Sequence, residues 1–67
     1  MNVRINGKEE ALAEGLITIE KLVQDKGLIP ERIVVEVNLE VISRENWSKV
    51  NLRDDDQIEI VSFVGGG

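Results

Sequence analysis

Only one stretch of this chain has the periodicity of an amphipathic helix long enough to matter, and it is short. Thr18 stands where a side-chain cap belongs, Ile19, Leu22 and Val23 fall on one face, and Glu20 in the first turn suits the positive end of the helix dipole. Ile17 and Leu22 are spaced for a hydrophobic staple across the cap, and Gly27 sits where such a helix ends. One helix of this length has no second helix to pack on, so its apolar stripe must be buried against one face of a sheet. The 67 residues allow one compact domain, expected over residues 1–64, with a thin core: a chain this small buries about 60% of the surface it exposes when unfolded.

The sheet is written on both sides of that helix. Val3 and Ile5 alternate with Asn2, Arg4 and Asn6, and Asn6-Gly7 then leads into a return strand from Lys8 to Leu12, a strong hairpin signal. After Pro30, the β-branched run Ile33 to Val37 reads as a strand, Asn38-Leu39-Glu40 as its turn, and Val41-Ile42 as a short return. Ser43 is placed to cap a single helical turn over Arg44 to Trp47. Arg53 to Asp56 reads as a solvated turn, followed by a last strand from Gln57 to Val64. That strand sets Ile58, Ile60 and Ser62 on one face and Glu59, Val61 and Phe63 on the other, so its second face is also apolar. The element order is that of an α+β, β-grasp (ubiquitin-like) fold. It predicts a mixed sheet of four to five strands on one main helix, with the first and last strands side by side at the centre and the opposite face open.

Composition removes most catalytic chemistries. With no Cys and no His, thiol nucleophiles, persulfide carriers, imidazole bases and Cys/His metal sites are excluded together. A formal net charge of -5 opposes binding to phosphate backbones, so nucleic acid is not an expected partner. No uninterrupted apolar run is longer than that of Ile33-Val34-Val35, far short of the roughly 20 residues that span a bilayer, and no signal-peptide core is present. The expectation is a cytoplasmic protein without membrane contact, monomeric when free.

The remaining reactive group is at the end of the sequence, where Val64 is followed by Gly65, Gly66 and Gly67. Glycines 65–67 make no side-chain contacts and read as a flexible tail, at most about 10 Å long when extended. A strip without Cβ atoms can thread a narrow channel in another protein and present its carboxylate there. That carboxylate, with an α-carboxyl pKa of about 3.3 to 3.7, is ionised at neutral pH and can attack a nucleoside triphosphate at phosphorus. The acyl adenylate so formed is an electrophile that sulfur or an amine can capture. A frayed chain end is the competing reading of three glycines. The apolar strand directly before them favours the chemical one.

Three segments make the sequence resemble a known family, the sulfur carrier proteins of thiamine biosynthesis: Val37-Asn38-Leu39-Glu40-Val41-Ile42-Ser43-Arg44-Glu45-Asn46-Trp47, Asp54-Asp55-Asp56-Gln57-Ile58-Glu59-Ile60, and Phe63-Val64-Gly65-Gly66-Gly67. The resemblance covers essentially the whole chain. The chain departs from the family at Ser43, where Pro is frequent, and at Asp55, where the family pattern has Gly; Asp tolerates a left-handed turn better than most residues. The resemblance implies a carrier, not an enzyme. An adenylyltransferase of the ubiquitin-activating type, using ATP and Mg²⁺, would adenylate Gly67; a relay fed by a cysteine desulfurase would convert it to a thiocarboxylate; and a thiazole synthase would take the sulfur. The carrier itself would bind no cofactor.

Val61, Phe63 and Val64 beside the tail, and Arg44, are the candidate docking residues. Val61 and Phe63 can equally be covered within the monomer, and Arg44 can pair locally with Glu40 or Glu45. Trp47 reads as a core plug. Asp54, Asp55 and Asp56 lack the spacing of a calcium loop, and no metal site is expected. Three rivals share parts of this pattern: a small subunit of molybdopterin synthase, a ubiquitin-like modifier joined to lysines, and a noncovalent module with inert glycines.

Overall fold

The computed structural model describes residues 1–13, 15 and 17–63. Strands β1 (Asn2–Ile5) and β2 (Lys8–Ala11) precede helix α1 (Ile19–Asp25); a 3-10 turn, Pro30–Arg32, leads into β3 (Ile33–Val37) and β4 (Glu40–Ile42). A second 3-10 turn, Arg44–Asn46, precedes β5 (Gln57–Ser62). The strands form one five-stranded sheet in the order β2-β1-β5-β3-β4. β5 runs parallel to β1 and antiparallel to β3, so the first and last strands are adjacent at the sheet centre, as the element order predicts. The final strand is described to Ser62, and Val64 lies outside the described residues.

The core is the space between α1 and one face of this sheet. Val3 and Ile5 from β1, Ile33 and Val35 from β3, and Ile58 from β5 meet Ile19, Leu22 and Val23 from the helix, with Trp47 and Leu52 closing the cluster. Burying a side chain of this kind is worth about 1.5–3 kcal/mol, which lets a helix of 7 residues persist where isolated it would not. Trp47 is 3% exposed and donates its Nε1–H to the Ile42 carbonyl at 3.0 Å, so it plugs the core and ties β4 to it.

The ends of α1 are satisfied by separate devices. The Thr18 hydroxyl accepts from the Lys21 amide at 3.1 Å, while the Ile19 and Glu20 amides donate to the Val50 and Trp47 carbonyls at 3.2 and 3.3 Å. The segment after the second 3-10 turn is thereby stitched to the helix N-terminus. At the other end Gly27, with φ of +66°, donates to Gln24 at 3.0 Å and Leu28 donates to Val23 at 3.1 Å, closing a Schellman motif that a glycine accommodates without strain.

Both hairpins turn through left-handed residues: Asn6 and Gly7 at φ of 52° and 83°, then Asn38 and Leu39 at 52° and 72°. Asp55, in the position where glycine was expected to be the easier choice, is left-handed at φ 71°.

Three local expectations are corrected. Ser43 precedes the second 3-10 turn but makes no side-chain cap. Arg44 pairs with Glu31 at 3.8 Å, not with Glu40 or Glu45. Asp56 does not belong to a solvated turn. It is 9% exposed, and its carboxylate accepts from Asn38 Nδ2 at 2.9 Å and from the Arg53 amide at 2.8 Å, which repays the cost of burial.

Trp47→Phe removes the donor to Ile42 while keeping most of the apolar volume, and is expected to lower unfolding free energy by about 1–3 kcal/mol in a denaturant titration. Leu39→Gly acts in the other direction. A branched side chain at φ 72° stores strain, and its relief should raise the melting midpoint by an amount corresponding to about 1 kcal/mol.

Candidate functional site

The strand that leads into the tail is held at both ends. At its start, the Gln57 amide donates to Asn38 Oδ1 at 3.0 Å while the Asn38 amide donates to the Gln57 carbonyl at 2.7 Å. At its finish, the Phe63 amide donates to the Arg32 carbonyl at 3.0 Å. Along the β1 side, Arg4 and Asn6 donate their amides to the Asp56 and Ile58 carbonyls, each at 2.9 Å. There β1 turns away, and the Asn6 side chain replaces its backbone: Oδ1 accepts from the Ile60 amide at 2.8 Å and Nδ2 donates to the Ile60 carbonyl at 3.2 Å. An amide side chain presents the same donor and acceptor as a peptide group, so it extends the ladder past the turn.

The face of β5 turned away from the helix carries the apolar residues that the sequence places near the tail. Val61 is 56% exposed and Phe63 47% exposed. Val34 lies directly opposite Val61 on β3, and Val41 on β4 lies opposite Glu36, itself opposite Glu59. Residues paired across a sheet share a face, so the patch joins Val34, Val61 and Phe63, with Val41 beyond a pair of glutamates.

Arg44 reaches this end of the molecule by another route. Its partner Glu31 belongs to the turn Pro30–Arg32, whose last carbonyl holds Phe63. The guanidinium therefore stands at the end of the sheet where β5 finishes. The pair is long, and its side chains are 57% and 71% exposed, so it contributes little to stability and leaves Arg44 available to a partner. Val64, Gly65, Gly66 and Gly67 lie outside the described residues. Among the described residues no group of acidic side chains is gathered as a metal site would require, and no helix is long and apolar enough to cross a membrane.

Sequence reasoning missed the two asparagine clamps and the Val34 contribution. Val34 was legible in principle, because it alternates with buried Ile33 and Val35. The Asn6 clamp was not, because its partner is 54 residues away.

A sheet of this order on one helix defines the ubiquitin-like β-grasp fold. Residues 3–67 match the model of the ThiS family. The chain is 40% identical to the sulfur carrier protein ThiS of Bacillus subtilis, over 97% of this chain and 98% of that one. It superposes with a TM-score of 0.86 on the crystal structure of the thiamine biosynthesis protein ThiS from Geobacter metallireducens, at 30% identity and with full coverage of both chains. It is also 45% identical to a thiazole synthase of Magnetococcus marinus, along its whole length but over only 20% of that protein; a thiazole synthase of Paramagnetospirillum magneticum is matched over the same fraction, so the chain spans about a fifth of these relatives. The chain belongs to the ThiS family.

The Asn6 clamp gives a direct test of how β5 is held. Asn6→Gly preserves the left-handed turn and deletes both bonds to Ile60, and is expected to cost about 1–3 kcal/mol. Amide hydrogen exchange at Ile60 should accelerate more than exchange at Val35.

Proposed function

We propose that this chain carries sulfur on the carboxylate of Gly67 as a co-substrate of its partner enzymes, without catalytic groups of its own. The carrying observation is the match, over nearly the full length of both proteins, to the Bacillus subtilis sulfur carrier. In the cycle, an adenylyltransferase of the ubiquitin-activating type joins the Gly67 carboxylate to AMP, and pyrophosphate leaves from ATP held with Mg²⁺ on the enzyme. The terminal sulfur of a persulfide on a cysteine desulfurase relay displaces AMP to give an acyl disulfide, and a second thiol of the relay cleaves its S–S bond, becoming a disulfide and leaving a thiocarboxylate. Transfer of that sulfur to a thiazole synthase, with water supplying the replacement oxygen, returns the carboxylate.

The thiazole synthase partner is supported by the Magnetococcus and Paramagnetospirillum relatives, in which a segment similar to this whole chain is part of a protein named thiazole synthase. The reading places the cycle in the cytoplasm, where ATP is available. Gly65 and Gly66 serve as the narrow strip that enters the enzyme channel. Val61 and Phe63, continued by Val64 and flanked by Arg44, serve as the docking surface. Exposed apolar side chains cost solubility unless a partner covers them, and a patch beside the reacting end is where docking positions the carboxylate. The cycle itself asks little of the folded domain except that it hold this surface and the start of the tail in fixed relation.

Intact-mass measurement after incubation with the adenylyltransferase, ATP, Mg²⁺ and a sulfur source tests the reading. The expected result is a gain equal to exchange of one oxygen for one sulfur, absent from a variant lacking Gly66 and Gly67. An unchanged mass with an enzyme shown to be active would leave a noncovalent module as the better account. Phe63→Glu should retain the fold and raise the KM for the carrier in the adenylation assay by about tenfold or more, as expected for a hot-spot residue.

A further inference from the structure

Along β5 the backbone groups alternate in direction. Gln57 and Phe63 bond toward β3 and its neighbour Arg32, whereas Ile58 and Ile60 bond toward β1 and the Asn6 side chain. The same alternation turns the N–H and C=O of Ser62 toward the β1 side. β1 has already ended at Ile5, and among the described residues nothing on that side pairs with Ser62. An unpaired rung in a central strand, one residue past a side-chain clamp, is an open edge inside the sheet and a template for another chain.

The surroundings of that rung are shaped and charged. On the helix side of the sheet, past the end of α1, lies a cleft of about 380 Å³ bordered by Ser62, with Ile5, Leu28, Ile33 and Ile60 as its apolar lining and Lys8 and Lys26 among its polar members. Lys26 is bound to the Glu10 carboxylate, 3.0 Å from both oxygens. Lys8 has no ion-pair partner among the described residues. Glu10, also on the rim, neutralises Lys26, so this is an apolar recess with one uncompensated cation among the described residues, Lys8, in a chain of net charge -5.

We propose that the cleft is a strand-addition site for an extended acidic segment of a partner protein. The segment takes up the line that β1 abandons, pairs its backbone with the N–H and C=O of Ser62, sets an apolar side chain into the recess and directs a carboxylate to Lys8. Backbone pairing supplies affinity and the alternate side chains supply selectivity. A free anion would engage Lys8 but has no use for the Ser62 carbonyl. This surface is distinct from the Val34, Val61 and Phe63 face, and its existence does not depend on the sulfur-carrier reading.

The test is a titration of the isotopically labelled full chain, unloaded with sulfur, with a blocked synthetic peptide of alternating valine and threonine ending in aspartates. The control is the same peptide ending in lysines. The acidic peptide should shift the Ser62 amide and the Ile5, Leu28 and Ile60 methyl signals, and the lysine peptide should not. Ser62→Pro deletes the unpaired donor that faces away from β3 and should weaken binding about tenfold or more. Lys8→Glu, at an exposed position that leaves the fold intact, should do the same and serves where the proline variant misfolds. The proposal is overturned by shifts confined to Val34, Val41 and Val61, by equal binding of both peptides, by affinity unchanged in Lys8→Glu, or by no shift up to about 1 mM peptide. Sulfur loading of the same Lys8→Glu variant, scored by mass, separates failure of this site from failure of the carrier reading.

Discussion

The position of β5 between β1 and β3 determines how the last described residues are held, because a central strand has a neighbour on each side. The ladder to β3 runs the length of β5, from Gln57 opposite Asn38 to Phe63 opposite Arg32. On the other side the parallel pairing with β1 is brief and is completed by one amide side chain. The last described residues are therefore fixed on one side and open on the other, and this asymmetry is what gives an incoming protein access to the backbone before the tail.

The same arrangement explains why one sheet face is left apolar and bare. The core is built from a helix of 7 residues and the loop carrying Trp47 and Leu52, which suffice for one face only. Covering the other would require a second layer, and the described residues supply none. Val34, Val61 and Phe63 stand where solubility alone would favour polar residues, while Glu36 and Glu59 interrupt the patch and keep it from forming one continuous apolar edge. The glutamates also give the face a sign, so a partner that covers it gains from cationic groups placed between its own apolar anchors.

How much of this was legible in the sequence depends on the range of the interactions. Thr18 and Gly27 mark α1 because capping is settled within a few residues, and Asn6-Gly7 marks the first hairpin for the same reason. The alternation of β5 carries Val61 and Phe63 to the open face without any knowledge of what lies beside them. Asp56 reads the same as Asp54 and Asp55 in sequence, yet it is buried because Asn38 and the Arg53 amide converge on it from the fold. The turn Pro30–Arg32 was not anticipated, and with it the Glu31 partner of Arg44 was missed, since that pair depends on where β3 begins and β4 ends. Asn6 and Asn38 read as turn formers, which they are. Their second task, clamping β5 from opposite sides, exists only once the strands are assembled.

Relatives of two sizes bear on the part played by the proposed docking surface. The Bacillus subtilis carrier is matched over almost its full length, whereas in the Magnetococcus thiazole synthase the corresponding segment shares a polypeptide with the rest of that protein. Joining two modules replaces encounter in solution by an effective concentration set by the connection, which reaches millimolar for short flexible links. Under the proposed function, a carrier joined to its synthase needs little intrinsic affinity for it, while its contacts with any unlinked partner still have to come from its own surface. Weak, exposed features such as the long Arg44 to Glu31 pair and the interrupted valine patch suit transient encounters. Under the same reading, a carrier that must release each partner before meeting the next is better served by modest patches than by one tight interface, because tighter binding lengthens the residence on each partner.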